Sequence, residues 1–310
     1  MKFLITGGAG YIGSTIASAM EDAGHTPVIL DSLVTGRMEF TAGRIFYKAD
    51  IADAAAVEQV FRQHPDIQAT IHCAALILVP ESTARPYEYY RENVGKSIDL
   101  FHTLQRLGYP RVVFSSSGTI YGNQPVQPVS ENSIPNPRSP YAVSKLAAEY
   151  YVKSIGSLWG IETVCLRVFN AYGPGQHHPP VHTPVIPGFL RQAWENGTIV
   201  IHGDGNQTRD FVYLDDVVNA MISAATAPEV DKLTINVGSG KEISARDLAK
   251  LVVEVTGGKP EVVFNPRNEG GLSRLCADIS LAKEKLEYQP RISLAEGLKI
   301  TFDKDIRINS

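Results

Sequence analysis

Eight residues near the start of the chain limit what it can become. Thr6-Gly7-Gly8-Ala9-Gly10-Tyr11-Ile12-Gly13 follows an apolar, strand-like run at residues 3–6 and opens a helical pattern at residues 12–23. Gly7, Gly10 and Gly13 stand three residues apart. Glycine permits a tight turn and lets the backbone approach a pyrophosphate, and the N-terminus of the following helix offers free N–H groups and a partial positive charge. A glycine motif alone is weak; strand before and helix after give it weight. Gly7, Gly10, Tyr11, Ile12 and Gly13 are therefore expected to bind a dinucleotide. Asp31 ends the second strand-like run, about twenty residues on, where an acid bonds ribose hydroxyls. A carboxylate there repels the extra phosphate of NADP, and Ser32 rather than arginine follows it, so the expected cofactor is NAD.

The pattern around this motif predicts a doubly wound α/β fold. Strand-like runs at residues 3–6, 26–30, 44–47, 70–73, 111–115 and 162–167 alternate with helical patterns at 12–23, 54–62, 86–106 and 141–158. Asp53 stands where it can cap the second helix. Strands without strict alternation, separated by helices, indicate a parallel sheet covered on both faces. Right-handed crossovers then give a Rossmann-type sheet. Residues 173–188, rich in proline, glycine and histidine, read as an ordered loop leaving the sheet. Two short helical patterns follow at 245–256 and 280–286. The expected division is an NAD-binding domain at 1–173 and a smaller α/β substrate lobe at 174–310, with 206–237, including a strand-like run at 234–237, returning to the first.

Composition narrows the class of partner. A net charge of −4 lacks the basic excess of a nucleic-acid binder. No apolar stretch approaches membrane-spanning length and no signal peptide is visible, so a cytoplasmic location is expected. Cys73, Cys165 and Cys276, odd in number and widely spaced, read as reduced core thiols. His177, His178 and His182 lie on the proline-rich loop without a cysteine or acid beside them, and no metal site is expected.

A second constellation points to proton chemistry. Tyr141 and Lys145, at i and i+4, share one helix face. An ammonium beside a phenol, helped by an oxidised nicotinamide ring, is expected to lower the phenol's pKa and make a general base. Phe114-Ser115-Ser116-Ser117-Gly118-Thr119-Ile120-Tyr121-Gly122 lies at the carboxyl edge of the fifth strand, where open α/β sheets place their chemistry. Ser117 and Thr119 can relay a proton to Tyr141 or hold the reacting hydroxyl.

Together the glycine motif, Asp31, Asp50, the serine run and the Tyr-x-x-x-Lys pair resemble the extended short-chain dehydrogenases, in their nucleotide-sugar epimerase branch. The resemblance covers nearly the whole chain. It runs on through Arg167-Val-Phe-Asn170, Gly203-Asp-Gly-Asn-Gln-Thr-Arg209-Asp210, Asn236-Val-Gly-Ser-Gly240 and Ala277-Asp278-x-Ser280. It implies that Asp50 and Ile51 hold the adenine and that Ala74, Ala75, Asn93 and Ser115 join the cofactor site with Tyr141 and Lys145. It implies a substrate site of Ser117, Thr119, Tyr141, Phe169, Asn170 and Arg209, with Asn170 and Arg209 on the diphosphate. It implies a homodimer paired through the helices at 86–106 and 141–158. Two departures stand out. The family's Arg-x-Gly-Asp becomes Asn268-Glu-Gly-Gly271, leaving Arg267 or Arg274 as the second phosphate contact. Ile77 replaces a lysine found over the cofactor phosphates in many relatives, and Leu275 occupies the position that sets room at C2 of the sugar.

The implied activity is 4-epimerisation of a UDP-hexose such as UDP-glucose through a 4-keto intermediate. N-acetylglucosamine and glucuronic acid remain open as alternative sugars. A nucleotide-sugar 4,6-dehydratase would need an acid–base pair after the strand-end serines, where Gly118, Thr119 and Ile120 stand. A non-catalytic nucleotide sensor would have no need of the Tyr141–Lys145 pair.

Overall fold

The computed structural model describes residues 1–108, 111–176, 183–195, 197–266 and 272–305. Seven parallel strands form the main sheet. The first six are β1 (Lys2–Thr6), β2 (Thr26–Asp31), β3 (Ile45–Lys48), β4 (Ile67–His72), β5 (Arg111–Ser117) and β6 (Glu162–Val168). They lie in the order β3-β2-β1-β4-β5-β6, and a strand from the second half of the chain completes the far edge beside β6. The order reverses between β1 and β4, so the crevice for a ligand opens at the carboxyl ends of those strands.

The strands are apolar on both faces because both faces are covered. Phe3 and Ile5 of β1, with Ala69, Ile71 and Val113, pack against Ile16, Ala17 and Met20 of α1 (Tyr11–Asp22). Leu4, Val28, Val112 and Phe114 point the other way. They meet Val57, Val60 and Phe61 of α2 (Ala54–Gln63), and helices α5 (Lys96–Leu107) and α6 (Pro140–Trp159). Asp53 caps α2 as expected, its Oδ1 accepting from the Ala56 N–H at 3.1 Å. Ser139 caps α6 the same way and Pro140 opens it, which places Tyr141 in the first turn.

The expected helix over 86–106 is not regular. A short helix α3 (Val79–Ala84) precedes it; α4 (Pro86–Tyr90) then runs through a π turn at Arg91–Gly95 into α5. One extra residue is accommodated without ending the helix.

Beyond β6 the chain builds more than the sequence reading expected. The loop read over 173–188 gives way at Val185 to a helix, α7 (Val185–Trp194). Strand β7 (Asn170–Tyr172) pairs in parallel with β9 (Thr208–Tyr213), and β11 (Glu242–Ser244) runs antiparallel on the other side of β9. A separate pair, β8 (Thr198–His202) and β12 (Glu261–Asn265), is parallel. The helix α8 (Leu214–Thr226) returns to cover the main sheet through Val217, Val218 and Met221. Strand β10 (Thr234–Val237) then pairs in parallel with β6, from Thr234↔Cys165 to Val237↔Val168. Helices α9 (Ala245–Thr256), α10 (Ser280–Leu286) and α11 (Leu294–Lys304) follow. Leu248 and Val252 of α9 and Leu298 and Phe302 of α11 join Ile186, Phe189 and Leu190 of α7 in a third core. Among the described residues no helix is long and apolar enough to cross a membrane.

Candidate active site

The glycine loop is packed as tightly as backbone allows. Gly7 has φ +70°, and a Cβ there would stand 2.6 Å from the Ala74 amide nitrogen. A Cβ at Gly13 would come within 2.3 Å of the Gly7 carbonyl oxygen. Only glycine fits either place. Helix α1 opens at Gly10 with no side-chain cap and no acid in its first turn, so its N–H groups and positive end face the loop unopposed. Asp31, buried at the end of β2, anchors the loop: its Oδ2 accepts from the Ala9 N–H at 3.0 Å and its Oδ1 from the Leu33 N–H at 2.8 Å. Each oxygen retains a second lone pair for a ribose hydroxyl. The loop, the uncapped helix end and the strand-end acid fit a bound dinucleotide.

The neighbouring residues divide by role. Ser32 follows Asp31 half-buried, Ile51 is buried, and Ala74 and Ala75 leave the carboxyl end of β4. Asp50 bonds the Lys96 ammonium at 2.6 Å and the Ala52 N–H at 3.0 Å, and Lys96 also holds Glu92. The Asn93 amide clamps the chain after β4. Its Oδ1 accepts from the Leu76 N–H at 2.8 Å, and its Nδ2 donates to the Leu76 carbonyl at 2.9 Å and to Ser144 Oγ at 3.0 Å. Ser144 Oγ in turn bonds the Tyr141 carbonyl. Ile77, just beyond the clamp, is half exposed at 53%.

At the end of β5 the expected catalytic groups converge. Ser117 Oγ and Thr119 Oγ1 lie 2.9 Å apart, and the Ser117 hydroxyl is close enough to the Tyr141 phenol to favour its phenolate. Lys145 Nζ sits 4.8 Å above the Phe114 ring, a cation–π contact. The electrostatics differ from the expectation that Lys145 depresses Tyr141. Burial raises the phenol above its ordinary value, and the Ser117 hydroxyl only opposes that. Burial pushes Lys145 down to about 8, against the Cys73 thiol and Glu149. Desolvation outweighs the charge effects at both groups.

Behind the serines lies a polar network the sequence reading missed. Ser116 Oγ donates to Glu149 Oε2 at 2.7 Å. Arg167 grips the same carboxylate with Nη2 at 2.6 Å and Nε at 3.1 Å, and reaches Tyr121 Oη with Nη1 at 2.7 Å. Tyr121 donates to Asn236 Oδ1, and Asn236 donates to the Val129 and Asp278 carbonyls. Arg167 is thus an internal residue. Its signal in the sequence was Glu149, an acid on the buried face of an apolar helix.

The substrate-side residues fall around Asp210. Its buried carboxylate accepts from Ser239 N–H at 2.7 Å and Oγ at 2.6 Å, Gly240 N–H at 3.0 Å and Ala277 N–H at 3.1 Å. Asn170 Nδ2 donates to the Asp210 carbonyl at 2.9 Å. Phe169 closes over Gly118, where a Cβ would meet its ring at 2.9 Å. Arg209 bonds only its neighbour's carbonyl, Thr208 O, at 2.7 Å and pairs with no carboxylate among the described residues. It lines a cavity of about 210 Å³ with Phe189, Val200, Phe211 and Leu248. A half-buried guanidinium beside an apolar cavity suits a ligand with an anionic and a flat apolar end. Arg274 is instead paired with Glu242 and largely exposed. Leu275 is buried in the core. Arg267 and the three loop histidines lie outside the described residues. Among those described, no cluster of His, Cys, Asp or Glu could hold a metal.

Comparison with known proteins agrees with this geometry. The NAD dependent epimerase/dehydratase family matches residues 3–238. The chain belongs to this family. It is 36% identical over 310 residues to a UDP-glucose 4-epimerase of Mycolicibacterium smegmatis, covering 98% of each chain. Its structure superposes on a Thermotoga maritima UDP-glucose 4-epimerase crystallised with UDP-glucose, with a TM-score of 0.94, 33% identity and full coverage of both. A Thermus thermophilus UDP-glucose 4-epimerase complexed with NAD gives 0.88 at 32% identity, covering 98% of each.

The Asn93 clamp yields a stability test. Asn93→Ala strips both partners from the Leu76 peptide, and the unfolding free energy should drop by about 1–3 kcal/mol, the range for leaving buried polar groups unmet. Urea denaturation reads this directly; an unchanged midpoint would mean the clamp holds nothing.

Proposed function

We propose that the protein is an NAD-dependent epimerase that inverts C4 of a UDP-hexose, interconverting UDP-glucose and UDP-galactose. The observation that carries the reading is the convergence of Ser117, Thr119 and Tyr141 at the carboxyl edge of the sheet.

Gly7, Gly10, Tyr11, Ile12 and Gly13 hold the cofactor pyrophosphate, Asp31 and Ser32 its ribose, and Asp50 and Ile51 its adenine. Ala74, Ala75, Asn93, Ser115 and Lys145 complete that site, several of them through backbone or by fixing their neighbours. Bound NAD supplies the hydride acceptor and donor for C4. Tyr141 takes the proton from the 4-hydroxyl and later returns it. Ser117 and Thr119 hold that hydroxyl and relay the proton. Asn170 and Arg209 anchor the diphosphate, and Phe169 packs beside the sugar. Arg267 is the better second phosphate contact, since Glu242 already occupies Arg274. Firm binding of the nucleotide end leaves the sugar ring free to present either face. Burial raises the Tyr141 phenol and the Ser117 hydroxyl only partly opposes it, so a positive nicotinamide, when bound beside it, would favour the phenolate.

We also read the protein as a cytoplasmic homodimer. The three cysteines are unpaired, as in a reducing compartment. Tyr87 and Tyr90 on α4, and Val143, Tyr150, Tyr151 and Leu158 on α6, expose large apolar side chains. A surface of that size on two helices suits a second copy. Solution scattering at micromolar concentration should give the mass of two chains, and a monomer mass would count against the pairing.

Two substitutions test the chemistry. Tyr141→Phe keeps the ring and its packing; the purified variant should retain its fold and release NAD(H) on denaturation, while turnover falls at least ~10²–10⁴-fold. Activity within a few-fold of the parent would refute the mechanism. Arg209→Ala should raise KM for UDP-glucose by an amount equivalent to about 1.5–3 kcal/mol with little change in kcat, as for a lost bond to a charged group. An unchanged KM would place the phosphates elsewhere.

A further inference from the structure

The Glu149 carboxylate ties the helix that bears Tyr141 and Lys145 to two neighbouring strands, β5 and β6. It lies one helical turn beyond Lys145 and two beyond Tyr141 on α6. It is fully buried, at 0% exposure. Its Oε2 accepts from Ser116, the residue before Ser117 on β5. Both its oxygens accept from Arg167, three residues before Asn170 on β6. A buried ion pair of this kind is poor evidence for stability, since desolvation offsets most of its attraction and a well-packed apolar pair often serves as well. Something other than stability is then needed to account for an acid on this face.

We propose that Glu149 is a positioning residue for the reaction. Its carboxylate holds the helix bearing Tyr141 and Lys145 in register with the strand ends bearing Ser117 and Asn170, and it supplies the negative charge that faces the Lys145 ammonium. The inference rests on the epimerase reading for its kinetic consequence, and on the shared buried helix face and the charge of Glu149 for its effect on Lys145.

The surroundings of Lys145 single out Glu149. From the end of β4, His72 and Cys73 face it; from β5, the Phe114 ring; from its own helix, Glu149. His72 is bonded to Thr6 and Ser97, and burial pushes it down to about 3, so it is neutral at working pH. Burial pushes the Cys73 thiol up to about 12, so it too is uncharged. Among these groups only Glu149, ion-paired with Arg167, brings a negative charge. Its removal should let burial lower Lys145 further, so that the ammonium is lost at lower pH as pH rises.

The test separates this role from simple support. Glu149→Gln leaves the Arg167 charge unpaired and can unfold the protein, so the informative variant is Glu149→Leu/Arg167→Met, which replaces the pair by packed apolar groups. It should remain folded and bind UDP-glucose with KM within about twofold of the parent, while kcat falls about 10- to 100-fold, as for a small misplacement of reacting groups. The double variant removes both charges, so the charge effect is read on Glu149→Gln: in its folded fraction the Lys145 titration, followed by NMR of lysine-labelled protein and assigned with Lys145→Arg, should move to lower pH, and the alkaline limb of the kcat profile with it. Ser116→Ala keeps both charges; it should lower kcat and leave the Lys145 titration in place. Parental kcat in the double variant, unchanged kcat in Ser116→Ala, or a parental Lys145 titration in folded Glu149→Gln would overturn the proposal. If the parent itself fails to convert UDP-glucose to UDP-galactose, the epimerase reading falls, while the NMR titration still decides whether Glu149 governs Lys145.

Discussion

Four hydrogen bonds converge on the carboxylate of Asp210, and the second half of the chain is arranged around them. A buried acid is costly unless its oxygens are met, and here three N–H groups and a hydroxyl meet them. The donors come from the Ser239-Gly240 turn after β10 and from Ala277. The backbone of Asp210 adds two more links, its N–H to the Leu275 carbonyl and its own carbonyl to Asn170. Four short sequence motifs, separated by up to about a hundred residues, are thereby one structural unit. Arg209 sits beside this hub with its neighbours fixed and its guanidinium facing a cavity.

The opposite corner is governed by water exclusion. Tyr141 and Lys145 are both buried, and burial shifts a phenol up and an ammonium down. The protein thus drives their proton affinities apart, the phenol up and the ammonium down to about 8. Fine adjustment is left to Ser117 on one group and Glu149 on the other. A site tuned mainly by desolvation responds strongly to any charged ligand that enters it, because little solvent is present to screen that charge.

How much of this was legible in the sequence depends on the range of the interaction. Strands β1 to β6 and helices α1, α2, α6, α9 and α10 follow from local apolar periodicity, caps and glycine turns, and the sequence reading placed them within a few residues. The glycine loop and the Tyr141–Lys145 pair are local motifs and were equally visible. Strands β7, β8, β11 and β12 are three to five residues long and pair with partners far along the chain, so no local pattern announces them. Helix α7 hid behind a proline-rich stretch whose composition suggested loop, although Pro184 serves as its N-terminal boundary. Arg209 and Arg274 looked alike as candidates for phosphate contact. Only three-dimensional pairing, of Arg274 with Glu242, distinguishes them. The rise that burial imposes on the Tyr141 phenol was not legible, because charge is written in the sequence and desolvation is not.

The π turn between α4 and α5 gives this segment an uneven tolerance of deletions. An α-helix advances about 100° per residue, so the turn at Arg91–Gly95 absorbs one residue's worth of rotation in the middle of a continuous rod. Upstream of it Tyr87 and Tyr90 face outward; within it Asn93 faces Leu76; downstream Ser97, Leu100 and Leu104 face the sheet. Loss of a single codon within the turn would restore an ordinary helix with its two halves still in phase, whereas loss of one elsewhere in the rod would swing one half against the other by roughly a quarter turn. Substitutions along the rod can be graded in effect, whereas a one-residue deletion outside the π turn would misalign the outer tyrosines, the Asn93 clamp and the core at once.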